Sequence, residues 1–197
     1  MQGPRVVAVG DILSFTKTVL SNPLDAVIRG PVEFLMKALH HSAHQGPWPT
    51  ERPKLHDLRS QTRVGLAWFS DTVVLFALDD SDVAAGNVVE TAGWLLYETF
   101  HASNTRMRIG VDYGEFHIDE DNGIYVGPAL VHAYQLEEAQ EWCGGALTSG
   151  AAARVASTSA ESWTVDYAVP VKAACKVTSD RAINWVYAPH MNLPLEW

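Results

Sequence analysis

Arg63-Val64-Gly65-Leu66-Ala67-Trp68-Phe69-Ser70-Asp71-Thr72-Val73-Val74-Leu75-Phe76-Ala77-Leu78 holds two strand-like runs, Arg63 to Phe69 and Thr72 to Leu78, separated only by Ser70-Asp71. Two polar residues between apolar runs are the length and composition of a tight hairpin. An aspartate therefore stands at a hairpin tip. Upstream, Arg5 to Leu13 carries Val6, Val7, Ala8, Val9 and Ile12 in a nearly continuous apolar run, the pattern of a strand covered on both faces. A second aspartate, Asp11, lies at its end. Between them, Leu24, Val27, Ile28, Val32, Leu35, Met36 and Leu39 recur at spacings of three and four, predicting a helix over Pro23 to His44 that Gly30-Pro31 kinks or divides. Gln45 to Ser60, with Pro47, Pro49 and Pro53, reads as a loop.

Downstream, Ser81 to Ala102 is helical by period, with Val83, Val88, Val89, Ala92, Leu95, Leu96 and Phe100 on one side and Ser81 or Asp82 at the N-cap. Arg106 to Ile118 reads as a strand and Asp119 to Gly123 as an acidic turn. Gly127-Pro128 opens a helix to about Trp142 with Leu130, Ala133, Tyr134 and Leu136 inward. Gly144 to Gly150 lacks the lysine of a P-loop and reads as a turn, and strands at Trp163 to Val171 and Ile183 to Tyr187 close the chain. This order predicts an α+β fold of the ferredoxin-like, split βαβ type, a mostly antiparallel central sheet with helices packed on it, as one domain over residues 1–197.

The 197 residues are 47% hydrophobic and 19% charged, enough for a core without disulfide or structural metal. Fourteen Lys and Arg against 23 Asp and Glu leave a net charge of -9, the wrong sign for gripping a phosphate backbone, so no nucleic-acid partner is expected. Only Cys143 and Cys175 are present, without a CxxC or a secretory start, which predicts a reduced, cytoplasmic setting. No apolar stretch approaches the roughly 20 residues that span a bilayer, so no membrane is expected either.

If the first strand lies beside the hairpin, Asp11 and Asp71 converge, with the Ile12 carbonyl as a third oxygen. Hard oxygen donors of this kind suit Mg²⁺ or Mn²⁺. The Ser14-Phe15-Thr16 backbone, at the start of the first helix, can cradle an anion. Arg108 lies inside an apolar strand and needs a counter-charge, either a phosphate or an ion pair with Asp112 or Glu115. Lys172 follows Val169-Pro170-Val171 as a further cation. His40, His41 and His44 lack a third ligand nearby and read as a solvated helix end, while Trp163, Trp185 and Trp197 read as core or interface aromatics.

Four blocks in this order, Gly10-Asp11-Ile12-Leu13-Ser14-Phe15-Thr16, Phe69-Ser70-Asp71-Thr72, Met107-Arg108-Ile109-Gly110-Val111-Asp112-Tyr113-Gly114 and Val126-Gly127-Pro128-Ala129-Leu130-Val131-His132-Ala133-Tyr134-Gln135-Leu136-Glu137, resemble the class III nucleotidyl cyclase catalytic domain. The resemblance implies that Asp11 and Asp71, with Ile12, hold two Mn²⁺ or Mg²⁺ ions and that Ser14, Phe15, Thr16, Arg108 and Lys172 hold a triphosphate. It also implies a head-to-tail homodimer with both active sites at the interface, Lys172 coming from the partner.

The departures from that pattern concern the base. Where purine-specific members carry their base readers this chain has Gly65 and Ile124, and where they offer Asn and Arg to the transition state it has Val131 and Gln135. Either catalysis is lost, leaving a silent nucleotide-binding or dimerisation module, or a different base is accepted; a divergent purine cyclase is the rival within the class. The retention of two carboxylates and an arginine at costly positions favours an active enzyme. Phe69-Ser70-Asp71-Thr72, Ala133-Tyr134-Gln135-Leu136-Glu137 and Ala182-Ile183-Asn184-Trp185 resemble the pyrimidine cyclases of bacterial Pycsar antiphage defence. That similarity implies a pyrimidine nucleoside triphosphate as substrate, UTP before CTP, and cyclic UMP as a signal for a separate effector that does not bind stably. Trp68 and Tyr134, with Gly65 and Ile124, are the candidate base-reading positions, and His132 and Arg63 lie near enough to contribute.

Overall fold

The computed structural model describes residues 1–44, 63–103, 105–175 and 177–186. The predicted Gln45 to Ser60 loop, and Trp197, lie outside the described residues. Strand β1, Gln2–Ile12, is the centre of the molecule: it pairs antiparallel with β3, Thr72–Phe76, on one side and with β4, Met107–Asp119, on the other. Strand β2, Gly65–Phe69, joins β3 through the two-residue Ser70-Asp71 turn, as the sequence predicts. Beyond β4 the order continues through β6 (Gly144–Leu147), β8 (Arg181–Ile183) and β7 (Thr164–Asp166). β6 is parallel to β4 and the remaining pairs are antiparallel, while β5, Ile124–Val126, pairs with the far end of β4.

Alternating residues of β1 explain its unbroken apolar run. Val6 and Ala8 enter one core with Leu66, Leu75, Ile109 and Val111, beneath α3 (Glu33–His44) and α4 (Asp82–Ser103). Val7 enters a second core on the opposite face with Phe76, Phe116, Ile118 and Ala129. That face is covered by α5, Pro128–Ala139. Both faces are therefore apolar, as a doubly covered strand requires.

Several elements differ from the sequence reading. The predicted Pro23 to His44 helix is α2 (Leu24–Val27), a π-helical turn over Ile28–Val32 and α3; Pro31 removes one hydrogen bond and is absorbed by widening the helix rather than by ending it. A separate α1, Phe15–Ser21, precedes them. Gly144 to Leu147 is a fully buried strand, not a turn, and leads into α6, Ser149–Val155, whose N-cap Thr148 accepts from the Ala151 amide. The predicted strand from Trp163 to Val171 shortens to β7, preceded by a 3-10 turn over Ser159–Trp163. Ser81 does cap α4, accepting from the Ala84 amide at 3.1 Å, but Val83 is exposed. Tyr134 on α5 also faces outward, where periodicity placed it inward.

Helix α5 rides directly on bare strand. A Cβ at Gly110 would lie 2.1 Å from the Ala133 carbonyl oxygen and 2.5 Å from the Glu137 amide nitrogen, so only glycine lets the two backbones meet. Gly110→Ala must push α5 off the sheet and is expected to destabilise by about 1–3 kcal/mol or more, read as a lowered urea midpoint.

Candidate active site at the end of the central strand

The hairpin turn and the end of β1 are brought side by side by the β1–β3 register, in which Val9 faces Val74 and Gly10 faces Val73. Asp11 follows beside Thr72, whose hydroxyl donates to its Oδ1 at 3.3 Å. Ser70, at φ 58°, turns the chain so that the carboxyl of Asp71 comes against that of Asp11. On the other side Asp11 is the direct cross-strand partner of Arg108. Phe69, Thr72, Asp11 and Arg108 thus form one row across the sheet, on the face that carries α5.

The two carboxylates disturb each other. Burial pushes the Asp11 carboxyl from its ordinary 3.8 up to about 6, and the like charge of Asp71 adds to the shift, while Thr72 and Arg108 offset part of it. Two half-buried acids held this way favour a cation between them, and their oxygens, with the neighbouring Ile12 carbonyl, are the hard donors that Mg²⁺ or Mn²⁺ takes. Among the described residues no group of three or more His, Cys, Asp or Glu side chains could hold a metal, so main-chain, water or substrate oxygens must complete any coordination here.

Arg108 has a partner that the sequence reading did not assign. Its Nε lies 2.8 Å from Glu137 Oε1, and its Nη1 donates to the Gln140 carbonyl at 3.1 Å; neither Asp112 nor Glu115 pairs with it. Burial pushes Glu137 up to about 7 despite the guanidinium beside it. Glu137 is four residues from Ala133 on a helix face that also carries Leu136, and a carboxylate at such a position needs a cation; that spacing was its signal in the sequence. Asp112 instead accepts from the Thr148 hydroxyl and contacts His132 Nδ1 at 3.1 Å.

The other candidates are more scattered. Ser14 has φ 67° and is the N-cap of α1, where Phe15 is buried and Thr16 exposed. Lys172 hydrogen-bonds through Nζ to the Glu138 carbonyl and through its amide to that of Ala139, at the end of α5. Gly65 is buried on the face of the Asp11 row, whereas Trp68, one position out of phase, packs into the opposite core and donates to the Ser70 carbonyl at 2.6 Å. Ile124 and Tyr134 are both about half exposed.

No protein-family model matches the chain, and no curated protein matches it significantly in sequence. Solved structures do match. The adenylyl cyclase CyaB from P. aeruginosa superposes with a TM-score of 0.61 at 14% identity, over 93% of this chain and 94% of that one. The guanylyl cyclase domain of the RhoGC fusion protein from the aquatic fungus Blastocladiella emersonii gives 0.65 at 13% identity, over 93% and 97%. A bacterial light-regulated adenylyl cyclase gives 0.57 at 15%, over 98% and 97%.

The chain has the class III nucleotidyl cyclase fold. Within that fold its carboxylate pair stands at the junction of β1 and the hairpin, and its Gly65 position is closed. A Cβ there would fall 1.9 Å from Cε2 of Phe76, whose ring is wholly buried against Phe116 and Tyr125, each 5.6 Å away between centroids. Among the described residues no helix is long and apolar enough to cross a membrane.

Because folded Asp11 holds its proton more tightly than the unfolded chain does, its contribution to stability is complete below about pH 4 and is lost as pH rises through 6. A cation needs the deprotonated form. Mn²⁺ affinity measured by calorimetry is therefore expected to rise about tenfold from pH 5 to pH 7.5. Asp71→Asn keeps the shape and removes one of the two repelling charges. It should raise the melting temperature of the metal-free protein at pH 7.5 by a few degrees and remove Mn²⁺ binding; bound metal at wild-type affinity would exclude the hairpin as a ligand.

Proposed function

We propose that this protein is a metal-dependent nucleotide cyclase that converts UTP to 3′,5′-cyclic UMP and pyrophosphate. The observation that carries the reading is the cluster of Asp71, Asp11 and Arg108: two carboxylates that favour a metal ion, beside a guanidinium suited to phosphate. Divalent ions held by Asp11, Asp71 and the Ile12 carbonyl would supply Lewis acidity toward the ribose 3′-hydroxyl and the phosphates. Asp11 and Asp71 fix where that charge sits, Arg108 neutralises the departing pyrophosphate, and Glu137 and the Gln140 carbonyl hold the guanidinium in place. Ser14 to Thr16 supply amides to the phosphate chain, and Lys172 of the partner subunit supplies a further cation. No side-chain general base is needed.

Pyrimidine choice is supported at Gly65. Phe76 fills the volume that a longer side chain at this position would use, so no base-reading Lys or Glu can stand there without displacing a buried ring. A site without polar groups for a purine edge gives that edge nothing to satisfy. The matched solved structures are adenylyl and guanylyl cyclases by name, which makes a purine cyclase the second reading. Competition kinetics with the four ribonucleotides and Mn²⁺ decide it: UTP turnover efficiency should exceed that for ATP and GTP at least tenfold. A preference for ATP or GTP would establish the purine reading, and no turnover of any nucleotide would establish a silent module. A role in antiphage signalling follows from the resemblance to Pycsar cyclases, with a separate effector downstream.

The exposed apolar residues Phe69, Ile124, Val126, Val131 and Tyr134 support a homodimer with shared sites. Mixing inactive Asp71→Asn with inactive Lys172→Ala should restore part of the turnover, because each heterodimer contains one site with both residues intact. Absence of rescue after demonstrated subunit exchange would mean that each protomer carries a whole site.

A further inference from the structure

A cleft of about 330 Å³ opens where β1 runs into α1, lined by Ile12, Leu13, Ser14, Phe15, Thr18, Pro31, Thr105 and Arg106, of which Ile12 and Phe15 belong to the first core. Its volume is at the low end for small-molecule sites, suited to a phosphate chain rather than to a whole nucleotide. Arg106 is its one charged lining residue. The Leu13 amide donates to the Arg106 carbonyl at 2.9 Å, which continues the β1–β4 register one step past Ile12 and Met107. Arg106 therefore falls on the same sheet face as Arg108, two residues and about 6.5–7 Å further along the strand.

The charges of the two arginines are handled differently. Arg108 is largely buried and engaged by Glu137 and the Gln140 carbonyl. Arg106 is exposed and, among the described residues, its guanidinium makes no hydrogen bond or ion pair, in a chain with an excess of acids. A cation left uncompensated in a cleft of apolar and hydroxyl groups is complementary to an anion.

We infer that Arg106 holds the terminal phosphate of the triphosphate in this cleft, beyond the phosphates that Arg108 and the carboxylate-bound cations serve. The inference rests on the cyclase reading and extends it by one binding residue. With Arg106 beyond Arg108 along the strand, the pair grades substrates by phosphate number.

The test uses inorganic tripolyphosphate and pyrophosphate as probes, titrated with Mg²⁺ present into the full chain by calorimetry, which removes the base from the question. Arg106→Ala should weaken tripolyphosphate binding about tenfold and leave pyrophosphate unchanged, and Arg106→Lys should recover part of the loss. Lys37→Ala, on α3, is the control for bulk charge. Unchanged tripolyphosphate affinity in Arg106→Ala, an equal loss for both probes, an equal loss in Lys37→Ala, or no tripolyphosphate binding by the wild type would each overturn the inference. Wild-type UTP turnover alongside any of those results leaves the cyclase reading standing. Arg106-dependent tripolyphosphate binding in a protein that cyclises no nucleotide does the reverse.

Discussion

The close seating of α5 on β4 at Gly110 is the contact on which the candidate site depends. Because the helix backbone touches the strand there, Ala133 sits over the glycine, and the residue before it and the residue one turn after it are delivered to the strand positions on either side of Gly110. Glu137 reaches Arg108 and His132 reaches Asp112. A helix held further out by a side chain at position 110 would leave Arg108 without its carboxylate and in reach of Asp11 alone. Helix packing, rather than the loop that carries Asp71, thus sets the direction of the guanidinium.

Against that fixed cation the acids are arranged at a cost. Asp11 lies between a like charge at Asp71 and an opposite charge at Arg108, and burial outweighs both in setting its proton affinity. Glu137, although paired, is also raised by burial. A fold selected for stability alone has no use for two carboxyls pressed together at a strand end, since hydrophobic replacements of similar volume satisfy the same space. Groups whose environments oppose their charge gather where a bound cation or anion completes the balance. The cluster of Asp71, Asp11 and Arg108 is such a place, and Arg106, without an ionic partner among the described residues, extends the same logic toward the start of α1.

Much of this was legible in the sequence, for identifiable reasons. The hairpin announced itself because Ser70-Asp71 leaves no room for another connection, and the unbroken run of Val6 to Val9 described a strand covered twice. Both aspartates were found because each ends an apolar run. What escaped depended on long-range contact. Gly144 to Leu147 looked like a turn because glycine is the usual turn residue, yet Gly145 is small because Ile183 packs on it, a neighbour 38 positions away in the chain. Tyr134 satisfied the helical period but faces outward, because α5 buries the stripe of Ala129, Ala133, Leu136, Glu137 and Ala139. Trp68 lies near Gly65 in sequence and on the other side of the sheet in space, since strand side chains alternate. Glu137 carried a readable signal, a carboxylate on an apolar helix face, and Arg108 was the cation that it required.

The strand at Gly65 reverses the usual inference from a small residue. A small side chain at position 65 suggests an empty pocket into which a larger group could be restored, and on sequence alone loss of the reader and loss of function look the same. The packing shows what takes up the space. Phe76 lies across the glycine, held by Phe116 and Tyr125, so the position is occupied by a neighbour rather than vacated. The volume beside the carboxylate pair is filled by a packed ring, so a longer side chain at position 65 would have to displace it against the resistance of a close-packed core.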